Sequence, residues 1–301
     1  MVKKLVLLVV GIMMAALFAG CGNDAPKEQA SKKIQVVTSF NAMAEFTKAI
    51  GGDKVEVSTI IPDGVEPHDF ELKPENMKQL ATAQVFVYNG FGMEPWAKQA
   101  IEAAKNDKLV TVVATEGVEA IKNTDPEEIK EHGAEDPHAW LSLKDAKIEV
   151  KNIKDALVKA DPANKDYYEK NYTEYIGKLD AMIKKYEEQF AKAPHKNFVT
   201  GHAAFAYLSR DFGLEQNSVE DVFAEGEPNA AQLAKLIEYV KENNIKTIFA
   251  EEMASPEVSK TLAKEVGAKV ETIYTIESKE DDKTYLQRID ENLAKILESL
   301  K

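Results

Sequence analysis

The chain has 301 residues, 44% of them apolar and 30% charged, and a net charge of −13. That length suits two domains of ordinary size with a true core. An acidic surface repels phosphate backbones, so no nucleic acid partner is expected.

The N-terminus comes first. Lys3 and Lys4 precede an apolar run from Leu5 to Ala19, followed by Gly20 and Cys21. The run falls short of the roughly 20 residues that span a bilayer and reads as a signal-peptide core. The small residues Ala19 and Gly20 before Cys21 resemble a bacterial lipobox, although Phe18 stands where leucine is more usual. In a lipobox the cysteine is acylated and becomes the new N-terminus. Residues 1–20 are therefore expected to be a signal peptide and Cys21 the lipidation site. The protein would be held at the outer face of the cell membrane through its N-terminal lipid. Cys21 is the only cysteine, so the folded part has no thiol, and any metal site must use His, Asp or Glu. The polar, Pro-containing stretch that follows reads as a tether over residues 21–33.

Strands and helices then alternate, as in α/β architecture. Strands are expected at Ile34–Thr38, Val55–Ile61, Val85–Tyr88 and Leu109–Val113, with helices at Met43–Ile50, Asn76–Ala83 and Pro95–Ala104. A second series has strands at Asn197–Thr200, Ser218–Val222, Thr247–Ala250 and Val270–Tyr274. Its helices are Ala203–Phe212, Ala230–Glu242, Pro256–Val266 and Thr284–Leu300. Between the two series, Tyr168, Tyr172, Tyr175, Leu179, Met182, Ile183 and Tyr186 form one apolar stripe at helical spacing. Pro162 and Pro194 bracket it, and it predicts one long helix; the alternative is two helices broken at Gly177. The expected organisation is an N-terminal α/β lobe (34–160), a connecting helix (161–193) and a C-terminal α/β lobe (194–301). The lobes are similar, with mostly parallel sheets.

Of five histidines, His68 and His202 follow predicted strands, and His138 ends a long polar loop. Glu277 follows the last predicted strand. Ligands gather beyond the carboxyl ends of strands in open parallel sheets, and three of these four positions obey that rule. Their separations of 70, 64 and 75 residues (138 − 68, 202 − 138, 277 − 202) exclude a local metal motif and imply a site assembled from both lobes.

The segments Glu66-Pro-His-Asp-Phe-Glu, Asp136-Pro-His-Ala-Trp-Leu, Thr200-Gly-His-Ala-Ala-Phe-Ala-Tyr-Leu and Glu227-Pro-Asn-Ala-Ala-Gln-Leu occur in that order. With the closing helix around Asn292-Leu, they resemble the metal-binding subunits of bacterial ABC importers for zinc and manganese (cluster A-I, or class III). The resemblance runs from Ile34 to the end. It implies two α/β lobes joined by a long helix, with His68 and His138 as metal ligands from the first lobe and His202 from the second. A fourth ligand would come from the loop after the last strand. Glu277 matches best, with Glu280, Asp281, Asp282 or a water as alternatives. The implied partners are an ABC permease and its ATPase, and a monomer is expected.

His202 separates the metals. Zinc-type relatives carry His there, and manganese-type relatives tend to carry Glu. Three imidazoles and one carboxylate suit Zn²⁺, whereas Mn²⁺ prefers more oxygen ligands; Cu²⁺ and Ni²⁺ are chemically acceptable. The expected function is a zinc receptor with no enzymatic activity. Its alternatives are a manganese receptor, a zinc hydrolase or a surface adhesin. Glu66 and Asp136, each two residues before a ligand, are assigned to orienting imidazoles. Trp140 and Phe205 are expected to pack near the site. His195 reads as a solvated linker residue, and the acidic loop with His132 as a plain solvated loop.

Overall fold

Short β-branched runs set the strands. In a computed structural model that describes residues 33–123, 129–130, 133–222, 229–251 and 256–301, β1 (Ile34–Thr38), β2 (Val55–Thr59), β3 (Val85–Tyr88) and β4 (Val110–Val113) form one sheet. Their order is β2-β1-β3-β4, and every pair is parallel. The expected leader, Cys21, His132 and Glu227-Pro228 lie outside the described residues. Parallel pairing needs crossover connections. Helices α1 (Asn41–Gly51), α2 (Pro74–Thr82) and α3 (Ala97–Ala104) supply them.

After β4 the chain crosses the acidic loop to a helix that the pattern reading left out, α4 (Leu143–Ala160). Its signals are nonetheless in the sequence. The Ser142 side chain accepts a hydrogen bond from the Asp145 backbone N–H, a helix N-cap. Leu143, Ala146, Val150, Ile153 and Leu157 make its buried stripe.

Helix α5 (Lys165–Lys192) follows without a break at Gly177. Its 28 residues extend about 42 Å. Tyr168, Tyr175, Leu179, Tyr186 and Phe190 are its buried residues. Near its start the Asn171 side chain donates to Ile50 O of α1.

The second sheet is built from β5 (Asn197–Thr200), β6 (Glu215–Ser218), β7 (Thr247–Glu251) and β8 (Lys269–Ile273). Its order, β6-β5-β7-β8, repeats the first sheet's topology, again all parallel. The crossovers are α6 (Ala206–Phe212), α7 (Ala230–Glu242) and α8 (Pro256–Val266), and α9 (Tyr285–Ser299) closes the chain. The expected strand at Ser218–Val222 is corrected to β6. Among the described residues this strand pairs only with β5, and an edge strand buries less than a central one. Polar Glu215-Gln-Asn-Ser therefore serves, and the apolar residues that suggested the later position lie past the strand end. There, Val219 N–H donates to Thr200 O.

One apolar core runs from the first sheet through α5 into the second sheet and α9. It includes Phe40, Phe86, Trp140, Tyr186, Phe198, Phe249 and Tyr285. Residues Lys33–Lys301 accordingly form one compact unit. A second cluster, with Val199, Ile248, Leu236 and Leu262, fills the space between the second sheet and its crossover helices. Among the described residues no helix is long and apolar enough to cross a membrane.

Candidate metal centre

In each sheet the strand order reverses between its two central strands, β1 and β3 in one and β5 and β7 in the other. Loops leaving the carboxyl ends there diverge and open a crevice. His68 enters from the β2–α2 loop. His138 stands where the β4–α4 loop meets a short turn of 3-10 helix, Ala139–Leu141. His202 follows β5 by two residues, and Glu277 lies four residues past β8.

These four side chains converge. Glu277 Oε1 is 3.6 Å from His68 Nε2, 3.4 Å from His138 Nε2 and 3.9 Å from His202 Nε2. The Nε2 atoms of His138 and His202 are 3.3 Å apart. The four candidate donor atoms lie within 4.8 Å of one another, and all four residues are buried. A tetrahedron with bonds of 2.0–2.1 Å has edges of about 3.4 Å, so the arrangement is close to zinc dimensions and slightly open.

The neighbours of each group fix its aim. One Asp136 carboxylate oxygen accepts from both the backbone N–H of His138 and its Nδ1, at 2.9 Å each. Trp140 lies beside the His138 ring, with centroids 5.1 Å apart. Phe205 packs against Phe198 in the second sheet. Glu66 accepts from the His68 backbone N–H at 3.3 Å. Glu277 receives the Thr275 hydroxyl on Oε2. Its loop is clasped by the first half of the chain. Asn41 N–H donates to Glu277 O, the Asn41 side chain to Ile276 O, Trp140 Nε1 to Thr275 O and Gly64 N–H to Ser278 Oγ. Ile276 adopts φ +63°, a costly conformation for a β-branched residue, held by those contacts. Of the other acids in this loop, Asp281 binds the Arg288 guanidinium and Asp282 is exposed. His195 is exposed on the connection after α5.

Charge is unevenly shared in the site. Burial would lower the His138 pKa, but hydrogen bonds to Asp136 and Glu277 raise it to about 9. Burial lowers His202 to about 3, with the neighbouring imidazoles adding to the effect. Burial would also raise Glu277, yet His138 and His68 hold it well below the usual carboxylate range. The buried Glu277 carboxylate thus favours a proton on His138, and that proton must leave before Nε2 can bind a metal.

The reading from sequence passed over Glu251. It ends β7, is 3% exposed, and its Oε1 accepts from the His202 backbone N–H at 3.2 Å. Burial raises its pKa to about 8. The signal that would have found it is the strand-end rule that pointed to Glu277.

A family described as the zinc-uptake complex component A, periplasmic (ZnuA), matches residues 36–299. The chain belongs to this family. It is 43% identical over 299 residues to the high-affinity zinc uptake system protein ZnuA of Bacillus subtilis, covering 94% of each chain. The Zn(II)-bound structure of AdcA from Streptococcus pneumoniae superposes with a TM-score of 0.76 at 36% identity, over 89% of this chain. This chain spans only 58% of that longer one. The laminin-binding protein of Streptococcus agalactiae, described as bifunctional with adhesin and metal-transporting activity, gives a TM-score of 0.80 at 33% identity. That match covers 89% of this chain and 100% of the other. Membership in the family and these likenesses carry the two-lobed α/β fold and the zinc-receptor class expected from sequence.

Proposed function

We propose that this chain is an extracytoplasmic receptor that captures Zn²⁺ with His68, His138, His202 and Glu277 and passes it to an ABC permease driven by its ATPase. The observation that carries the reading is the convergence of three Nε2 atoms and one carboxylate oxygen at near-tetrahedral spacing. Three nitrogens and one oxygen favour Zn²⁺ over Mn²⁺, which prefers oxygen-rich shells of higher coordination. Four protein donors also leave no position for a reactive water, which supports a carrier over a hydrolase. Metal analysis of protein purified without chelator, followed by Zn²⁺/Mn²⁺ competition, tests the reading. One zinc per chain that survives excess Mn²⁺ is expected. Displacement by Mn²⁺, or no bound metal after zinc loading, would sink it.

The proposal includes the organisation read from sequence. Residues 1–20 are removed as a leader, and Cys21 carries the lipid. Residues 34–160 and 194–301 act as lobes around the helix within 161–193. The receptor works as a monomer at the outer face of the cell membrane.

A further inference from the structure

We propose that Glu251 is a positioning residue for His202, holding the imidazole from its Nδ1 side as Asp136 holds that of His138. The inference rests on the reading of His202 as a zinc ligand.

The two carboxylates are placed alike. Asp136 Oδ1 meets both the backbone nitrogen and Nδ1 of His138. Glu251 Oε1 accepts from the backbone nitrogen of His202 at 3.2 Å and faces its Nδ1 at 3.7 Å, and that Nδ1 has no hydrogen-bond partner among the described residues. Asp136 does this from two residues upstream, whereas Glu251 comes from the neighbouring strand. Val199 of β5 is in register with Ile248 of β7, and His202 and Glu251 each lie three residues beyond that pair (202 − 199, 251 − 248). The sheet itself therefore sets the acid beside the histidine, at the point where the strand order reverses.

The surroundings are built for this carboxylate. Glu251 is 3% exposed, and its Oε2 has no hydrogen-bond partner among the described residues. A Cβ on residue 201 would stand 1.8 Å from that oxygen. A side chain at residue 201 would push the Glu251 carboxylate out of this position. Burying an incompletely bonded carboxylate is costly. The His202 carbonyl is already held by the Thr200 hydroxyl at 2.7 Å and the Gln216 amide at 3.0 Å. Beyond the backbone N–H, the group of His202 that Glu251 faces is the ring. A ligating imidazole that binds metal through Nε2 donates its other N–H, and a carboxylate there fixes tautomer and orientation. The 3.7 Å separation is the distance that zinc loading would close.

The test uses Glu251→Gln, Glu251→Leu and Gly201→Ala, with His202→Ala and His195→Ala as references. Zinc affinity is measured by chelator competition, and the His202 Nδ1–H resonance by NMR of the zinc-loaded protein. Glu251→Leu and Gly201→Ala should each weaken zinc on the order of tenfold to a hundredfold. Glu251→Gln keeps an acceptor for the backbone N–H but replaces the carboxyl group by an amide. It should shift the Nδ1–H resonance upfield and weaken zinc by a smaller factor. A carboxylate that serves only the main chain would be fully replaced by Gln, so wild-type affinity or an unmoved resonance in Glu251→Gln overturns the proposal. Failure of the underlying reading looks different, because His202→Ala would then bind zinc as well as His195→Ala does.

Discussion

Asp136 Oδ1 lies 2.9 Å from both Nδ1 and the backbone nitrogen of His138, so one oxygen sets the ring and the main chain together. The Asp136 carboxylate is 2% exposed, and its bond to Nδ1 directs the His138 Nε2 toward Glu277. Asp136→Asn keeps the shape and removes the charge. Zinc affinity should fall on the order of tenfold to a hundredfold. The His138 pKa in the metal-free protein should also drop, because the Asp136 bond helps to raise it. Chelator competition and an NMR titration of His138 check the two effects. Wild-type values in both would separate Asp136 from the site.

The proton on His138 makes zinc binding pH-dependent. With a pKa of about 9, His138 is charged at neutral pH and must lose its proton to coordinate. Affinity should therefore fall about tenfold for each unit of pH below 9. His202, lowered to about 3 by burial, adds no competing proton across the neutral range. Calorimetry at pH 8 in buffers of different ionisation enthalpy should show close to one proton released per zinc from this group. The same affinity at pH 8 and pH 6 would contradict the assignment.

Metal-free stability should move the other way with pH. Hydrogen bonds raise His138 to about 9 against the opposing effect of burial, and burial raises Glu251 to about 8 and Glu94 to about 7. Burial and the nearby Glu277 raise Glu66 to about 7. Each value lies above that of the unfolded chain, so the folded state holds more protons. The stability tied to each group is full below its unfolded pKa and is lost as pH rises through its folded one. His202 has the opposite sign, but its effect is complete by about pH 6.5. Between pH 6.5 and 9 the Tm of the metal-free protein should fall, while the rise in Tm on adding zinc should widen with the gain in affinity. Thermal scans with and without zinc at pH 6.5, 7.5 and 9 measure both. A metal-free Tm that climbs across this window would refute the argument.

The parts of the molecule legible in the sequence are those with a local signature. β1, β3 and β5 are short runs rich in β-branched and aromatic residues, and their bounds match the expected ones. The stripe from Tyr168 to Tyr186 gave α5, and an unstrained Gly177 does not interrupt it. β6 was misplaced because an edge strand carries little apolar signal. α4 carries its own signals, the Ser142 cap and the stripe that begins at Leu143, and they directly follow the His138 segment. His68, His138 and His202 could be named from strand ends and motifs, yet separations of 64 and 70 residues say nothing of a 3.3 Å approach between rings. That distance follows from sheet order and register. Glu251 shows the same limit. In sequence it is one acid of the Glu251-Glu252 pair at the end of a strand, and only the β5–β7 pairing reveals what it touches.

The joint between the two halves makes the last prediction. Near its start α5 is tied to the first half by the bond from Asn171 to Ile50 O. Toward its end the Tyr186 hydroxyl bonds to the Asp290 main chain of α9, and Lys185 pairs with the Asp290 side chain. The Glu277 loop is held by Asn41, Gly64 and Trp140, and one apolar core crosses between the sheets. A hinge rotation would have to break these contacts together. Zinc loading should therefore shift loops and leave the lobes in place. Spin labels at the exposed positions 78 and 241 of the Cys21→Ser protein would report the distance between halves. The mean distance should change by less than about 2 Å on adding zinc, within the range of complexes that bind without domain rearrangement. A larger displacement of the whole distribution would show that the long helix bends or pivots, and that the contacts named above are remade in the loaded state.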